Sequence, residues 1–193
     1  MPWRNIITRN KIPFIAGILL LFLSIFRHYT RTLPVVDYGF LLKADHPVVF
    51  LFRHGERCDR SANSCLNERA GITVNGADEA RRLGEVFKTY FSHFSLYSSD
   101  TMRTIQTATY FAGFAPDVDK SMSECNSRIY KRINYLLTHS DGLPVVIFTH
   151  NHCLTYLAED MAGKKIKVNY LDGLVLHQDK GTLYLDGRLS SVR

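Results

Sequence analysis

The sequence is short of several things at once, and each shortage removes a class of protein. No stretch is of low complexity and none repeats, which sets aside solenoids, fibrous chains and disordered tails. The Cys-x2-Cys pairs of a structural zinc site do not recur. No apolar run is long enough to cross a hydrocarbon core of roughly 30 Å squarely, because the longest, residues 12–26 (IPFIAGILLLFLSIF), covers only about 22 Å as a helix. Acidic residues are missing from residues 1–31, which carry Arg4, Arg9, Lys11, Arg27 and Arg31. Removing those five cations from the formal charge of +6 leaves +1, so the basic balance belongs mainly to the N-terminus. A duplex-binding face needs Lys and Arg clustered on the folded domain, and nucleic acid is therefore not an expected partner.

What remains is the composition of one compact domain: 193 residues, 46% apolar and 22% charged. Residues 1–33 read as a targeting segment and residues 34–193 as a single domain. In the first, cations precede and follow an uncharged apolar run. A cleaved signal peptide and a tilted, snorkelling membrane anchor both fit, and the absence of a small-x-small site after Phe26 favours the anchor. An ordinary core helix fits less well, since the run has no polar face. The excess of cations ahead of the run favours an N-terminus inside and a domain exported to the periplasm. Cysteine usage agrees: Cys58, Cys65, Cys125 and Cys153 are an even set, as in an oxidising compartment. Cys58 and Cys65 enclose the turn-prone DRSANS, which favours that pair and leaves Cys125 with Cys153. The rival reading is a metal held by His150, His152 and Cys153, but no further ligand signature accompanies them.

Apolar strands alternate with helical patterns along the domain. Strands are expected at residues 47–52, 95–99 and 143–150, and helices over 74–91, from Ser99 onward with Ser99 or Asp100 as cap, over 127–139, and over 151–162. The helix at 74–91 carries Ala77, Ala80, Leu83, Val86, Phe87 and Tyr90 at helical spacing. The C-terminal segment reads as a hairpin turning at Asp179, Lys180 and Gly181. This alternation predicts an α/β three-layer sandwich whose mostly parallel sheet is flanked by helices, with the site at the carboxyl ends of its strands.

Two apolar strands end on histidine, one at Arg53-His54-Gly55-Glu56-Arg57 and the other at Thr149-His150-Asn151. Either histidine alone could be a strand-end cap, and either arginine a solvated side chain. Together with Arg103, in the first turn of a helix that also follows a strand, they form a set suited to phosphoryl chemistry. Guanidinium forks match the oxygens of a transferring phosphoryl group. A neutral imidazole can attack phosphorus, and a carboxylic acid must protonate the leaving alkoxide. Neither metal nor cofactor is needed.

RHG after an apolar strand, SSDTMRTIQTA, and a later strand ending on His150 together resemble the histidine phosphatase, or phosphoglycerate-mutase-like, superfamily over roughly residues 46–187. The resemblance implies that Arg53, Arg103 and His150 form the phosphate pocket, that His54 becomes phosphorylated, and that the acid is Glu124 or, as rival, Glu56. Glu56, Arg57 and Asn151 are expected to touch substrate, although Glu56 beside Arg57 also fits a plain salt bridge. The usual strand end is Ser-His-Gly or His-Asp, whereas Asn151 stands here and cannot donate a proton. Asp59 and Asp100 are expected in a loop and at a helix cap. Within the superfamily, FRHGERCDRSANSCL, GITVNG, VVIFTHNHCLTYLA and YLDGLVLH are similar to a group of exported bacterial enzymes. For that group the substrate is the phosphorylated heptose of the lipopolysaccharide core. Arg57, Arg60, Arg69 and the KKIK run at 164–167 are candidates for further phosphates of such a glycolipid, with solvated surface the simpler reading of the last. A sugar phosphatase or mutase of broader range, and a non-catalytic phosphate-binding protein, are the alternatives.

Overall fold

The computed structural model describes residues 33–42 and 46–191 together with 17, 18, 20 and 21, without the side chain of Phe40. The chain separates into two units, Met1–Leu33 and Pro34–Arg193. The expected N-terminal segment lies almost entirely outside the described residues. Among those described, no helix is long and apolar enough to cross a membrane.

The second unit opens with a short helix, α1 (Tyr38–Leu41), and then alternates strand and helix: β1 (Val48–Arg53), α2 (Val74–Tyr90), β2 (Ser95–Ser98), α3 (Met102–Ala112), β3 (Asp117–Val118), α4 (Arg128–Thr138), β4 (Val145–Thr149) and α5 (Asn151–Ala162). A hairpin, β5 (Gly173–Asp179) and β6 (Thr182–Leu189), closes it. Lys180 and Gly181 connect the hairpin with φ values of 48° and 80°. Two successive positive φ angles are what a two-residue turn needs to match the right-handed twist of its strands. The six strands lie in the order β3-β2-β4-β1-β5-β6. The β3, β2, β4 and β1 neighbours run parallel, while β5 is antiparallel to both β1 and β6.

β1 and β4 occupy the middle of the sheet and are apolar along almost their whole length, as strands covered on both faces must be. One face of β1, formed by Val48, Phe50 and Phe52, joins Phe87 of α2, Phe111 of α3 and Phe148 of β4 in a continuous apolar cluster. Val49 and Leu51 point the other way, toward the side where α4 and α5 touch the strand. In α2 the buried line runs Ala77, Ala80, Leu83, Gly84 and Phe87. Val86 and Tyr90, expected in that line, are exposed: Val86 lies about a third of a turn away from the contact, and Tyr90 packs only against Tyr38 among the described aromatic rings, 5.5 Å between centres. Gly84 lets α2 approach α3 closely: a Cβ there would stand 1.8 Å from the carbonyl oxygen of Phe111. The cap of α3 also differs from expectation. Thr101 holds the position without accepting from a backbone amide of the helix, its hydroxyl and that of Ser99 meet the Thr104 hydroxyl instead, and Asp100 accepts from Ser123.

Candidate active site

The ladder between β1 and β4 pairs Arg53 with Thr149, so the residues that follow, His54 and His150, leave the sheet side by side. The His54 amide still donates to the Thr149 carbonyl at 3.1 Å, and the two imidazole rings stand 5.7 Å apart. Both histidines are buried. Arg53 comes from the end of β1, and Arg103 is the second residue of α3. Arg103 reaches His150 directly, with Nη2 3.3 Å from Nδ1. Arg53 donates from Nη1 to the Val168 carbonyl at 2.7 Å and lies over the Tyr170 ring, 4.1 Å from its centre. Among the described residues, the buried Nε atoms of Arg53 and Arg103 have no hydrogen-bond partner. Two buried, unpaired guanidinium donors beside two imidazoles are a phosphate-shaped set of unmet needs.

The hydrogen bonds fix which nitrogen carries each proton. His54 Nδ1 lies 2.8 Å from the carbonyl oxygen of Gly55, which can only accept, so Nδ1 is protonated and Nε2 keeps its lone pair. At His150 the order is reversed. Arg103 can only donate, so Nδ1 accepts, and Nε2–H faces the Ser99 hydroxyl at 3.1 Å and the Ser123 hydroxyl at 3.5 Å. Burial pushes His54 down to about 3; its bond to Gly55 opposes the shift, and Arg103, Arg53 and His150 add to it. Burial and then Arg103 push His150 down to about 4. Both rings are therefore neutral near pH 7, the form in which an imidazole nitrogen can attack.

The loop after His54 is anchored on two sides. The Gly55 amide donates to Thr107 Oγ1 at 2.9 Å, and Thr107 donates onward to the carbonyl of Arg103, which ties the loop after His54 to the turn that carries the arginine. On the other side Gly76 of α2 packs against the Glu56 backbone, where a Cβ would come within 2.7 Å of the amide nitrogen. Thr107, Ser99 and Gly76 stand inside motifs read from the sequence, yet their roles depend on contacts between elements that periodicity does not report.

Glu56 and Arg57 do not form the plain salt bridge that is the alternative reading of Glu56. Arg57 forks onto Asp59, which belongs to a short 3-10 helix, Cys58–Arg60, and not to an open loop. The Glu56 carboxylate accepts from Thr73 Oγ1 at 2.7 Å, from Ser61 Oγ at 2.9 Å and from Asn63 Nδ2 at 2.9 Å. Burial alone would raise its pKa, but the bonds from Thr73, Asn63 and Ser61 together hold it below the usual carboxylate range. Glu124 follows Ser123 and faces Arg128 at 3.3 Å, with its side chain part-exposed. Asp100 accepts from Ser123 and caps no helix. Asn151 opens α5 and is exposed.

Disulfides join Cys58 to Cys65 and Cys125 to Cys153, with Cα separations of 5.1 Å and 4.6 Å. Cys153 is thus no free thiolate beside His150 and His152. The second bond links the segment after Glu124 to the first turn of α5. Thr149 Oγ1 donates to the Met122 carbonyl at 2.6 Å and holds the same segment from the strand side.

One wall of the site went unread in the sequence. Asp172, almost fully buried, accepts from the amides of Asn169 at 2.7 Å and Ser191 at 3.0 Å, while its own carbonyl accepts from the Arg53 amide at 2.9 Å. This turn, closed by the Asp172 carboxylate on the amide three residues before it, sets Tyr170 against both Arg53 and His54, whose ring centre is 5.8 Å away. The Asn-x-x-Asp spacing in NYLD is the signal that could have revealed it.

Residues 49–126 match the family model described as "Histidine phosphatase superfamily (branch 1)". Among curated proteins, the lipopolysaccharide core heptose(II)-phosphate phosphatase of Salmonella schwarzengrund (strain CVM19633) is 56% identical over 147 residues, which is 76% of this chain and 73% of that protein. The protein of the same name from Salmonella arizonae is 56% identical over the same span. Of solved structures, the protein histidine phosphatase SixA complexed with tungstate superposes with a TM-score of 0.60 at 18% identity, over 75% of this chain and 97% of that one. A phosphoglycerate mutase from Bacillus anthracis gives 0.55 at 14% identity, over 76% and 94%. At such identities these two bear on the fold alone.

Proposed function

Because the chain belongs to the histidine phosphatase superfamily, we propose that it is a phosphomonoesterase that removes phosphate from heptose(II) of the lipopolysaccharide core by way of a phosphohistidine at His54. The observation that carries the mechanism is the neutral His54, whose Nδ1 is committed to Gly55 and whose Nε2 stands free beside two unpaired guanidinium nitrogens. The substrate rests on the relatives of the same printed activity.

In this reading Arg53, Arg103 and His150 hold the phosphoryl oxygens, and Nε2 of His54 attacks phosphorus in line with the sugar oxygen. The N–P bond forms as the O–P bond breaks, and the departing oxygen takes a proton from a carboxylic acid. Water then attacks phosphorus, the N–P bond breaks, inorganic phosphate leaves and the carboxylate recovers its proton from that water. We assign the acid to Glu124. Glu56, stabilised as an anion by hydroxyl and amide donors, is a reluctant proton source, whereas Glu124 is anchored next to Ser123 and His150 and needs only to turn from Arg128. The enzyme works in the periplasm, where both disulfides are stable, with residues 1–33 as its export segment or anchor.

Incubation with labelled phosphorylated core lipopolysaccharide is expected to leave acid-labile phosphate on the protein and release inorganic phosphate. His54→Ala should abolish both, and label that persists on this variant would overturn the assignment. Glu124→Gln should slow sugar-phosphate hydrolysis by roughly 10²-fold or more, as loss of a general acid does. Its effect on an aryl phosphate, whose leaving group needs no proton, should be much smaller. If Glu56→Gln shows that pattern instead, the acid is Glu56.

A further inference from the structure

Next to the phosphate site lies a cavity of about 420 Å³ that the mechanism leaves unused. Arg53 and Tyr170 line it, and the same two residues border His54, so cavity and nucleophile share a wall. Its volume is within the range of small-molecule sites. Its lining is unlike most of them, because polar side chains dominate. Asn75 and Glu79 project from the first turns of α2 four residues apart, hence from one face, and Asn169 comes from the turn that Asp172 clamps. Among the described residues these three side chains form no hydrogen bond, so two amides and a carboxylate are left with donors and acceptors to spare.

The arrangement has a direction. Arg53, with its unpaired Nε, marks the end where an anion is welcome, and Glu79 supplies a carboxylate that repels a second phosphate but accepts from hydroxyl groups. Vicinal hydroxyls, each both donor and acceptor, suit paired amides and a carboxylate; an apolar or anionic group suits neither. We propose that this cavity is the sugar subsite, in which Asn75, Glu79 and Asn169 hydrogen-bond the hydroxyls of the ring that bears the phosphate. The inference rests on the reading of the substrate as a phosphorylated sugar, and adds the residues that would select it.

The test compares two substrates on the full chain: phosphorylated core lipopolysaccharide, and p-nitrophenyl phosphate, which has no hydroxyls to offer. The readout is the ratio of their kcat/KM values. Asn75→Ala with Glu79→Gln, and separately Asn169→Ala, should each lower that ratio tenfold or more, because unmet hydroxyls and unmet side chains are both penalised in the complex. Inhibition by the dephosphorylated core glycan should weaken in parallel, while inhibition by inorganic phosphate reports whether the neighbouring site is still formed. Asn75 and Glu79 are exposed, so a lost fold is not the expected outcome, and Asn169→Asp provides a second variant of the turn residue. A ratio within twofold of the parent in all variants overturns the subsite while leaving the phosphatase intact. If the parent protein itself turns over the aryl phosphate and not the glycan, the substrate reading falls and takes the subsite with it.

Discussion

At His54, burial and charge act in one direction. The ring sits beneath two arginines and a second histidine, and each of these disfavours another proton, which is why its pKa falls to about 3 and that of His150 to about 4. Two consequences follow for pH. In the reaction proposed, the His54 nitrogen assigned to the attack remains unprotonated far below the usual histidine range. The acid limb of kcat/KM should therefore fall near pH 3 to 4 once ionisation of the phosphate itself is allowed for, and a limb centred on 6.5 would contradict the assignment. For stability the sign is that of a depressed base. Below about 6.5 the unfolded chain binds protons on these rings and the folded chain does not, so stability declines as pH falls from there toward 4. Thermal melts across that window should show a shallower decline for His54→Asn than for the parent, because one of the two depressed groups is gone; equal slopes would place the pH dependence elsewhere.

Between elements, the most demanding contact is the crossing of α2 and α3. Gly84 faces the backbone carbonyl of Phe111 and not a movable side chain, so a methyl group there must push the helices apart. Gly84→Ala gains helix propensity, yet the overpacking should cost about 1–3 kcal/mol. That corresponds to a fall in melting temperature of roughly 2–4 °C per kcal/mol in a chain of this size, which calorimetry would measure; an unchanged or raised midpoint would show that the helices slide apart freely. Elements of this kind were legible to different depths. β1, β4, α2 and the hairpin are strongly patterned segments, and their residues announce them within a position or two. The strand ends that deliver Arg53, His54 and His150 could be read for the same reason, since charge following a buried apolar run has to lie at the edge of the sheet. β3 and the 3-10 helices at Cys58–Arg60 and Lys120–Ser123 are too short to carry a period. Ser99 looked like a cap because Ser is a good one, but the nearby His150 offers its hydroxyl a buried partner. The turn that Asp172 closes on Asn169 is local and could be read from their spacing, whereas Tyr170 and Thr107 matter through contacts between distant parts of the chain, which no local pattern encodes.

For the molecule as a whole, the fold is held at its working edge by covalent bonds as much as by its core. The apolar cluster lies beneath α2 and α3, whereas the segments that carry Glu56, Asn63, Ser123 and Glu124 lie beyond the strand ends and hold only single buried anchors such as Met122. The two disulfides fall in those segments, one closing a loop of sequence separation 7 and the other of 28. If chain entropy dominates, the longer loop should contribute about 3–4 kcal/mol and the shorter about 2. Cys125→Ser with Cys153→Ser should then lower the melting temperature more than Cys58→Ser with Cys65→Ser, and reductant should lower the parent's midpoint by at least as much as the larger of the two. Activity should separate the pairs further. Releasing Cys125 from α5 frees the segment that bears Glu124 while leaving His54, Arg53 and Arg103 on their strands and helix, so phosphate release from the glycan should drop by more than labelling of His54 by a reactive phosphoryl donor. If glycan turnover survives removal of the Cys125–Cys153 bond, the bond stabilises the fold alone, and the proton comes from a residue that it does not position.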